Sequence, residues 1–239
     1  MFKKNNGFIS GIEEIIKQAS ENVANRIIEL QKDVKGREEK ISDQLESEIT
    51  LHLLEEIKGL LNNKVINGVN FVVRTYTKKE EKDIGADLGG LIEVTIDGKT
   101  IKKAFLAQAK TAEVKGGKKS TSKYIYTYNK DIPGQAENML SITSDSFFFL
   151  YTNEGIYVVS ALHVHGNDKK SINTKELYYK EFGEFYSEFF KCFIGDHKIA
   201  EIYDTPEELE KFAEDNNVNN VLFIKAEKQE IRRKINRQS

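Results

Sequence analysis

Two strand-forming segments on either side of an Asp97-Gly98 pair constrain the fold of this chain more than any other feature. Residues 91–96, which are rich in β-branched residues, precede the pair, and residues 104–108, which are mostly apolar and include Phe105, follow it. An Asp-Gly pair between two such segments is among the strongest short signals for a β-hairpin. The sequence therefore predicts an antiparallel pair of strands near the middle of the chain.

Helix and strand patterns continue on both sides of this predicted hairpin. Helical spacing or a helix-start signal occurs in five segments: residues 9–32, 38–61, 134–143, 175–193 with Thr174 as the N-cap, and a helix that begins at Thr205-Pro206. Strand-forming residues occur in four more segments: residues 71–76, 146–151, 156–161 and 221–225. The order of these elements predicts an α/β fold with a mixed β-sheet core flanked by helices.

The predicted elements divide the chain into three parts. Residues 1–36 form an N-terminal helical extension, residues 37–165 form the core, and residues 166–239 form a C-terminal helical region packed on that core. The chain has 239 residues, which is enough to bury a full apolar core in one compact domain.

The composition excludes several classes of protein. Cys192 is the single cysteine, which excludes an intramolecular disulfide and a zinc site built from cysteines. The longest apolar runs, such as residues 147–150, are far too short to cross a bilayer, and no secretion signal is evident, so we expect a cytoplasmic protein without membrane contacts. The net charge of −2 argues only weakly against a nucleic-acid ligand, because a polyanion needs only a local basic surface.

Three polar residues fall at positions that the predicted hairpin brings together. Asp87 precedes the first strand, and Gln108 and Lys110 lie 21 and 23 residues later (108 − 87 and 110 − 87) at the end of the second. Side chains at i and i+2 of a strand point the same way, so Gln108 and Lys110 share a face. We expect a carboxylate, an amide oxygen and an ammonium to converge at one end of the sheet.

This combination of groups suits the hydrolysis of a phosphodiester bond. Oxygen ligands hold Mg²⁺, with Mn²⁺ as an alternative, and the cation polarises the phosphate and helps to generate hydroxide from water. A lysine beside the cation orients the attacking water and balances charge that develops on the phosphate. The simpler interpretation is that Lys110 is a solvated strand end and Asp87 a turn residue.

The same residues resemble the motif of the PD-(D/E)XK, or restriction-endonuclease-like, nuclease superfamily. Its pattern is an Asp, a hairpin, and then (Glu/Gln)-x-Lys on a mostly apolar strand. Gln108-Ala109-Lys110 looks most like the Mrr-type branch, in which Gln replaces the second acid. The resemblance covers roughly residues 46–161. It implies a restriction-endonuclease-like fold and a metal-dependent DNA endonuclease of a restriction or anti-phage defence type.

The resemblance also implies a role for each residue. Asp87 would be the central metal ligand, and Gln108 would give its side-chain oxygen. Ala109 would give its backbone carbonyl oxygen to the metal, and Lys110 would lie beside the nucleophilic water. Two features depart from the family pattern. No Pro precedes Asp87, an absence that is common in the superfamily, and Gln108 is neutral. The second leaves the site one negative charge short, so cation binding would depend more on the DNA phosphate or on another acid.

Members of the superfamily often take such a further acid from the helix before the sheet. Glu46 lies on the core-facing apolar stripe of the second predicted helix, where a charge is costly unless it has a partner. Glu48, on the flank of this stripe, and Glu56, within it, are the alternatives. A simple salt bridge at the helix end is the competing interpretation.

A basic segment and an aromatic segment follow the predicted site. Their residues are Lys115, Lys118, Lys119, Lys123 and Lys130, and the alternating Tyr124, Tyr126 and Tyr128. The lysines can contact phosphates and the tyrosines can stack on bases. The equally open alternative is a solvated loop that leads into an ordinary strand.

Three other residues with reactive or ligating side chains are interpreted as structural. His163 and His165 have no third metal ligand nearby in the sequence, so we expect a structural or surface role for them. Cys192 lies in a phenylalanine-rich predicted helix and is expected to belong to the core rather than to act as a nucleophile.

Three functions are compatible with these features. The first is the DNA endonuclease, and the second keeps the fold but cleaves branched DNA or RNA. The third is a catalytically silent binding module with a nuclease fold, against which the presence of Asp87, Gln108 and Lys110 argues. DNA is the expected ligand, a homo-oligomer is the expected assembly, and a partner protein of a defence system is a further expectation.

Overall fold

The computed structural model describes residues 6–33, 42–78, 86–116, 123–167, 170–201 and 205–228. The helices in these ranges are α1 (Asn6–Asp33), α2 (Ser42–Leu61), α3 (Ile132–Ile142), α4 (Ala161–Gly166), α5 (Phe182–Phe190) and α6 (Pro206–Asp215). The strands are β1 (Val65–Ile66), β2 (Val69–Thr77), β3 (Ala86–Ile96), β4 (Lys99–Thr111), β5 (Glu113–Lys115), β6 (Tyr124–Tyr128), β7 (Ser146–Thr152), β8 (Gly155–Ser160), β9 (Ser171–Asn173), β10 (Lys180–Glu181) and β11 (Val218–Lys228). The predicted α/β class is confirmed.

The predicted hairpin is the centre of an eight-stranded mixed sheet. The strand order is β1-β2-β11-β3-β4-β7-β8-β10, and β3 and β4 are antiparallel neighbours. Asp97 and Gly98 connect them with φ angles of 52° and 73°. Positive φ at both residues is what the tight hairpin turn favoured by Asp-Gly requires.

The last described strand lies in the middle of this sheet. β11 is parallel to β3 and antiparallel to β2, so it separates two strands that precede it in the chain. On the other side of the hairpin, β4 is parallel to β7, and α3 connects these two strands. The region after residue 166 therefore adds a central strand to the core as well as helices.

Helices cover both faces of the sheet and create two apolar cores. One core contains side chains of α1, α2 and α5 together with Phe105 and Ala107 of β4. The other contains side chains of α3, α4 and α6 together with Ala104 and Leu106 of the same strand. This alternation is the two-residue period of a strand that is buried on both faces.

β3 begins at Ala86, five residues before the predicted strand start, and it includes two glycines. A Cβ atom added to Gly90 would lie 2.2 Å from the Phe105 ring, and one added to Gly89 would lie 2.4 Å from the Phe212 ring. The glycines therefore leave room for aromatic rings that pack directly on the strand backbone.

The prediction of one helix over residues 175–193 is wrong. α5 begins only at Phe182, and the segment before it is used for strand contacts. Thr174, the predicted N-cap, instead exchanges hydrogen bonds with Ile125 of β6: its amide donates to the Ile125 carbonyl at 3.1 Å, and its Oγ1 accepts from the Ile125 amide at 2.8 Å. Pairing with a neighbouring strand thus outweighs the local helix signal.

The other predicted helices and strands are present, with bounds that differ by a few residues. α6 begins as predicted, because Thr205 Oγ1 accepts from the Glu208 amide and the Glu208 carboxylate accepts from the Thr205 amide. Over the described ranges, none of the helices combines the length and the apolar character that a membrane span needs.

Candidate active site

Strands β3 and β4 separate at one end of the sheet, and the predicted site residues lie in the resulting gap. The pairing of the two strands extends as far as Leu88 and Ala107. Beyond this pair, β3 stays beside β11 as far as Ala86, whereas β4 continues beside β7 to Thr111. The backbone at the end of β4 is therefore open to side chains on this edge, because β3 no longer pairs with it.

Asp87 reaches across this gap to β4. Its Oδ2 atom accepts a hydrogen bond from the Ala109 amide at 2.8 Å and another from Gln108 Nε2. Asn220 Nδ2 on β11 donates to the Asp87 carbonyl oxygen at 2.9 Å. Contacts from strands on both sides thus position Asp87, and the structure brings it together with Gln108 as the sequence predicts.

Glu46 of α2 contacts the next two residues of β4. Its Oε2 atom accepts a hydrogen bond from Lys110 Nζ at 3.0 Å. Its Oε1 atom accepts from the Thr111 amide at 2.6 Å and from the Thr111 hydroxyl at 3.2 Å. Glu46 is 6% exposed and Lys110 is 3% exposed, so their ion pair is buried.

The two alternatives to Glu46 face α1 instead of the sheet. Glu48 Oε1 accepts from Arg26 Nη2 at 2.8 Å, and Glu56 Oε2 accepts from Asn22 Nδ2 at 2.6 Å. Of the three acids considered on α2, Glu46 is the one that contacts Lys110.

The carboxylates of Asp87 and Glu46 are bound at alternate residues of one strand. These carboxylates accept hydrogen bonds from the backbone amides of Ala109 and Thr111. Two amides at alternate residues of an extended chain are about 7 Å apart and point the same way. Burial raises the pKa of Glu46, although the charge of Lys110 and the hydrogen bonds from Thr111 oppose this rise. The Lys110 ammonium is therefore important for keeping the Glu46 carboxylate ionised.

Gln108 provides the observation that bears most directly on a bound cation. Its Nε2 atom donates to Asp87, but its Oε1 atom is buried and has no hydrogen-bond partner among the described residues. Buried oxygen atoms of this kind normally have a partner. The Ala109 carbonyl points to the same side of β4 as the Ala109 amide, towards the gap. Because Mg²⁺ prefers oxygen ligands, Asp87, Gln108 and Ala109 fit the predicted cation.

The acidic groups at this site are few. In the part of the chain that the structure describes, no three or more His, Cys, Asp and Glu side chains form a group that could hold a metal ion. Cation binding would therefore depend on Asp87 together with neutral oxygens and on ligands that the substrate brings, as the neutral Gln108 implies.

A buried hydroxyl pair lies behind Glu46 and was not singled out from the sequence. Thr50 Oγ1 donates to the Glu46 carbonyl at 2.8 Å and lies 3.0 Å from the hydroxyl of Tyr151. Burial raises the pKa of Tyr151, and the charges of Asp87 and Glu46 raise it further. Tyr151 is therefore a neutral hydrogen-bonding group that connects α2 to β7.

Two further supporting residues, Thr111 and Asn220, were also missed. Thr111 directly follows Lys110, and Thr50 lies one helical turn after Glu46. Spacing from the predicted site residues is therefore a signal that can find Thr111 and Thr50. Asn220 is 133 residues from Asp87 in the sequence, and no local pattern connects the two.

The remaining candidate residues lie elsewhere or outside the described ranges. His163 and His165 are exposed on α4. Cys192 is partly buried, and burial raises the pKa of its thiol. It follows the end of α5 with a φ angle of 64°, so the prediction that it lies within a helix is wrong. Lys118 and Lys119 lie outside the described residues.

Comparisons of the chain with family models, curated proteins and solved structures found no match.

Proposed function

We propose that this chain is a Mg²⁺-dependent endonuclease that hydrolyses phosphodiester bonds in DNA. The observation that supports this proposal is the convergence of Asp87, Gln108, Lys110 and Glu46 at the gap between β3 and β4. It combines oxygen ligands, one of them a buried amide oxygen that has no partner among the described residues, with a lysine two positions further along the same strand. These are the groups that phosphodiester hydrolysis needs.

Each residue has a distinct part in the proposed site. Asp87, the Gln108 side-chain oxygen and the Ala109 carbonyl would hold the cation, with Mn²⁺ as an alternative to Mg²⁺. When bound, such a cation polarises a phosphate oxygen and makes a water molecule more acidic. Lys110 orients that water and balances the negative charge that grows on the phosphate. Glu46 positions Lys110 by accepting a hydrogen bond from its ammonium.

A catalytically silent binding module is the second candidate function. One observation favours it: within the described residues, both acids already accept hydrogen bonds from the protein, and no group of three acidic or other ligating side chains is present. Cleavage of branched DNA or of RNA is a variant of the first candidate, with the same site and another substrate.

One set of incubations separates these candidates. The purified protein is incubated with plasmid, linear duplex, a branched duplex, single-stranded DNA and RNA, each with Mg²⁺ or with EDTA. We expect cleavage of DNA with Mg²⁺ and none with EDTA. Cleavage of RNA or of the branched duplex alone would change the substrate, and binding without cleavage would favour the silent module.

Variants connect any cleavage to this site. Asp87→Ala should abolish Mg²⁺-dependent cleavage, because it removes the central cation ligand. Glu46→Gln should lower the rate, whereas Glu48→Gln should not; Glu48 is a matched control on the same helix, and its carboxylate accepts a hydrogen bond from Arg26 on α1. Full activity of Asp87→Ala would contradict the assignment of this site.

A further inference from the structure

A three-stranded sheet beside the candidate active site presents a row of tyrosines. Its strand order is β5-β6-β9. Tyr124, Tyr126 and Tyr128 alternate along β6 with Ile125 and Thr127, which are buried on the opposite face. Tyr128 is 63% exposed. We call the surface formed by these three tyrosines the tyrosine face.

Lysines from two other segments lie over these rings. Lys115 Nζ of β5 is 4.4 Å from the centre of the Tyr126 ring, and Lys175 Nζ is 3.9 Å from the centre of the Tyr124 ring. Both distances are within the range of cation–π contacts. The tyrosine face therefore combines flat aromatic rings with two lysines of the same surface, and Lys115 also forms an exposed ion pair with Glu113 at 3.4 Å.

A side-chain hydrogen bond connects the strand of the tyrosine face to the candidate active site. Thr127 Oγ1 on the buried side of β6 donates to the Thr111 carbonyl at 2.8 Å. The amide of Thr111 donates to Glu46. The strand that carries the tyrosines thus contacts the end of β4 at Thr111, the residue that follows Lys110.

We propose that the tyrosine face binds an unpaired strand of DNA next to the site where it is cut. Rings stack on bases of any sequence, and lysines beside them neutralise the phosphates that connect those bases. A base pair within a duplex has no free ring face for such stacking, so the surface favours single-stranded or frayed DNA over intact duplex. The position of the cut rests on the proposed nuclease function, whereas binding itself does not.

Binding can be measured without cleavage. The affinity of the full chain for a short fluorescein-labelled oligo(dT) is measured by fluorescence anisotropy in EDTA, with a duplex of the same length as the comparison. Tyr126→Leu removes the aromatic ring but keeps an apolar side chain, and Tyr126→Phe keeps the ring. Tyr178→Leu is the control, because Tyr178 is 62% exposed and lies outside β6.

We expect Tyr126→Leu to weaken oligo(dT) binding roughly tenfold, as for the loss of one base-stacking ring. Tyr126→Phe and Tyr178→Leu should bind like the wild type, and Lys115→Gln should reduce the salt dependence of binding. The far-ultraviolet circular dichroism of each variant is compared with that of the wild type, and Tyr128→Leu, at the most exposed ring of the face, provides a second test.

Two results would overturn this inference. The first is that Tyr126→Leu and Tyr128→Leu both bind oligo(dT) as tightly as the wild type does. The second is that the wild type binds the duplex as tightly as the single strand. The proposed nuclease function is separate from these results. Unchanged oligo(dT) binding in an Asp87→Ala variant, together with no cleavage by the wild type in Mg²⁺, would contradict the nuclease proposal and leave the tyrosine face as a binding site.

Discussion

The Lys110 ammonium and the Glu46 carboxylate form an ion pair at 3.0 Å, with both side chains almost completely buried. The pair connects α2 to the end of β4, next to the gap that contains Asp87. A charge removed from such a pair leaves its partner desolvated and unpaired. The position of Lys110 and the ionisation of Glu46 therefore depend on each other.

Lys110→Ala should lower the rate of DNA cleavage by on the order of a hundredfold or more, as for the loss of one important electrostatic group. The reason is that, in the proposed mechanism, the ammonium stabilises charge that grows mainly in the transition state. Single-turnover cleavage in Mg²⁺ measures the rate, and DNA affinity in Ca²⁺, which we expect to support binding without cleavage, should change much less. Weak binding with near-normal single-turnover cleavage would place Lys110 on the binding surface instead.

The buried pair should also be visible in stability. Lys110→Met should lower the free energy of unfolding by about 3 kcal/mol, because it leaves the Glu46 carboxylate buried without its cation. The double variant with Glu46→Gln should recover most of this loss, since neither side chain of the pair then carries a charge. Urea denaturation of the two single variants, the double variant and the wild type measures the coupling. Strictly additive effects would show that the two groups do not interact.

Gln108→Glu should make the stability of the protein depend on a divalent cation. Nε2 of Gln108 donates to Asp87, so a glutamate there would place a second carboxylate against the first. The two negative charges should lower Tm in EDTA, and Mg²⁺ or Mn²⁺ should raise it again by more than in the wild type. A thermal melt in KCl of equal ionic strength is the control. A Tm of the variant that does not respond to Mg²⁺ would contradict a cation at this position.

Glu93, far from the gap along β3, should control part of the pH dependence of stability. Burial raises the pKa of Glu93, but hydrogen bonds and charges from Lys102 at 2.8 Å and Lys225 at 3.0 Å outweigh this effect and hold its pKa below the ordinary 4.5. The folded state therefore holds a proton on Glu93 less tightly than the unfolded chain does. This contribution to stability is complete above pH 4.5 and is lost as pH falls through the lowered pKa.

Glu93→Gln should accordingly lower the free energy of unfolding by about 1–3 kcal/mol at pH 7, as for hydrogen bonds to a charged group. The difference from the wild type should shrink below pH 4.5. Urea titrations over this pH range measure it, with Glu227→Gln, at an exposed position of β11, as the control. A difference that stays constant with pH would show that the loss comes from packing and not from charge.

Two glycine substitutions should change stability in opposite directions. Gly90→Ala should destabilise the protein by about 1–3 kcal/mol, because the new methyl group would overlap the Phe105 ring. Gly59→Ala, in the last turns of α2 with nothing within 4 Å of the added Cβ, should stabilise it by about 0.5–1 kcal/mol. Urea denaturation measures both values. A stable Gly90→Ala variant would mean that the ring moves aside.

The hairpin and the grouping of Asp87, Gln108 and Lys110 could be predicted from the sequence because their determinants are local. A two-residue turn sets the register of β3 and β4, and the strand period then sets which side chains meet. Glu46 could be predicted for a related reason, since a charge on a buried helical stripe requires a partner. The choice among Glu46, Glu48 and Glu56 needed the position of α1, which gives the other two acids their partners.

Long-range pairing explains what could not be predicted. The place of β11 in the sheet and the contact of Asn220 with Asp87 depend on chain segments 133 residues apart. The short strand β9 and Thr174 depend in the same way on β6, and β10 depends on β8; these contacts override a helix signal that is plausible when considered alone. Local propensity is a weak guide where a segment can pair with a neighbouring strand.

The central position of β11 has a consequence for protein synthesis. During translation β4 is made directly after β3, but Asn220, which supports the Asp87 backbone from the other side, is made only 133 residues after Asp87. The gap therefore acquires its final shape only once β11 has left the exit tunnel and inserted between two strands made long before it. Any activity that depends on the shape of this gap would therefore begin only after β11 has been synthesised.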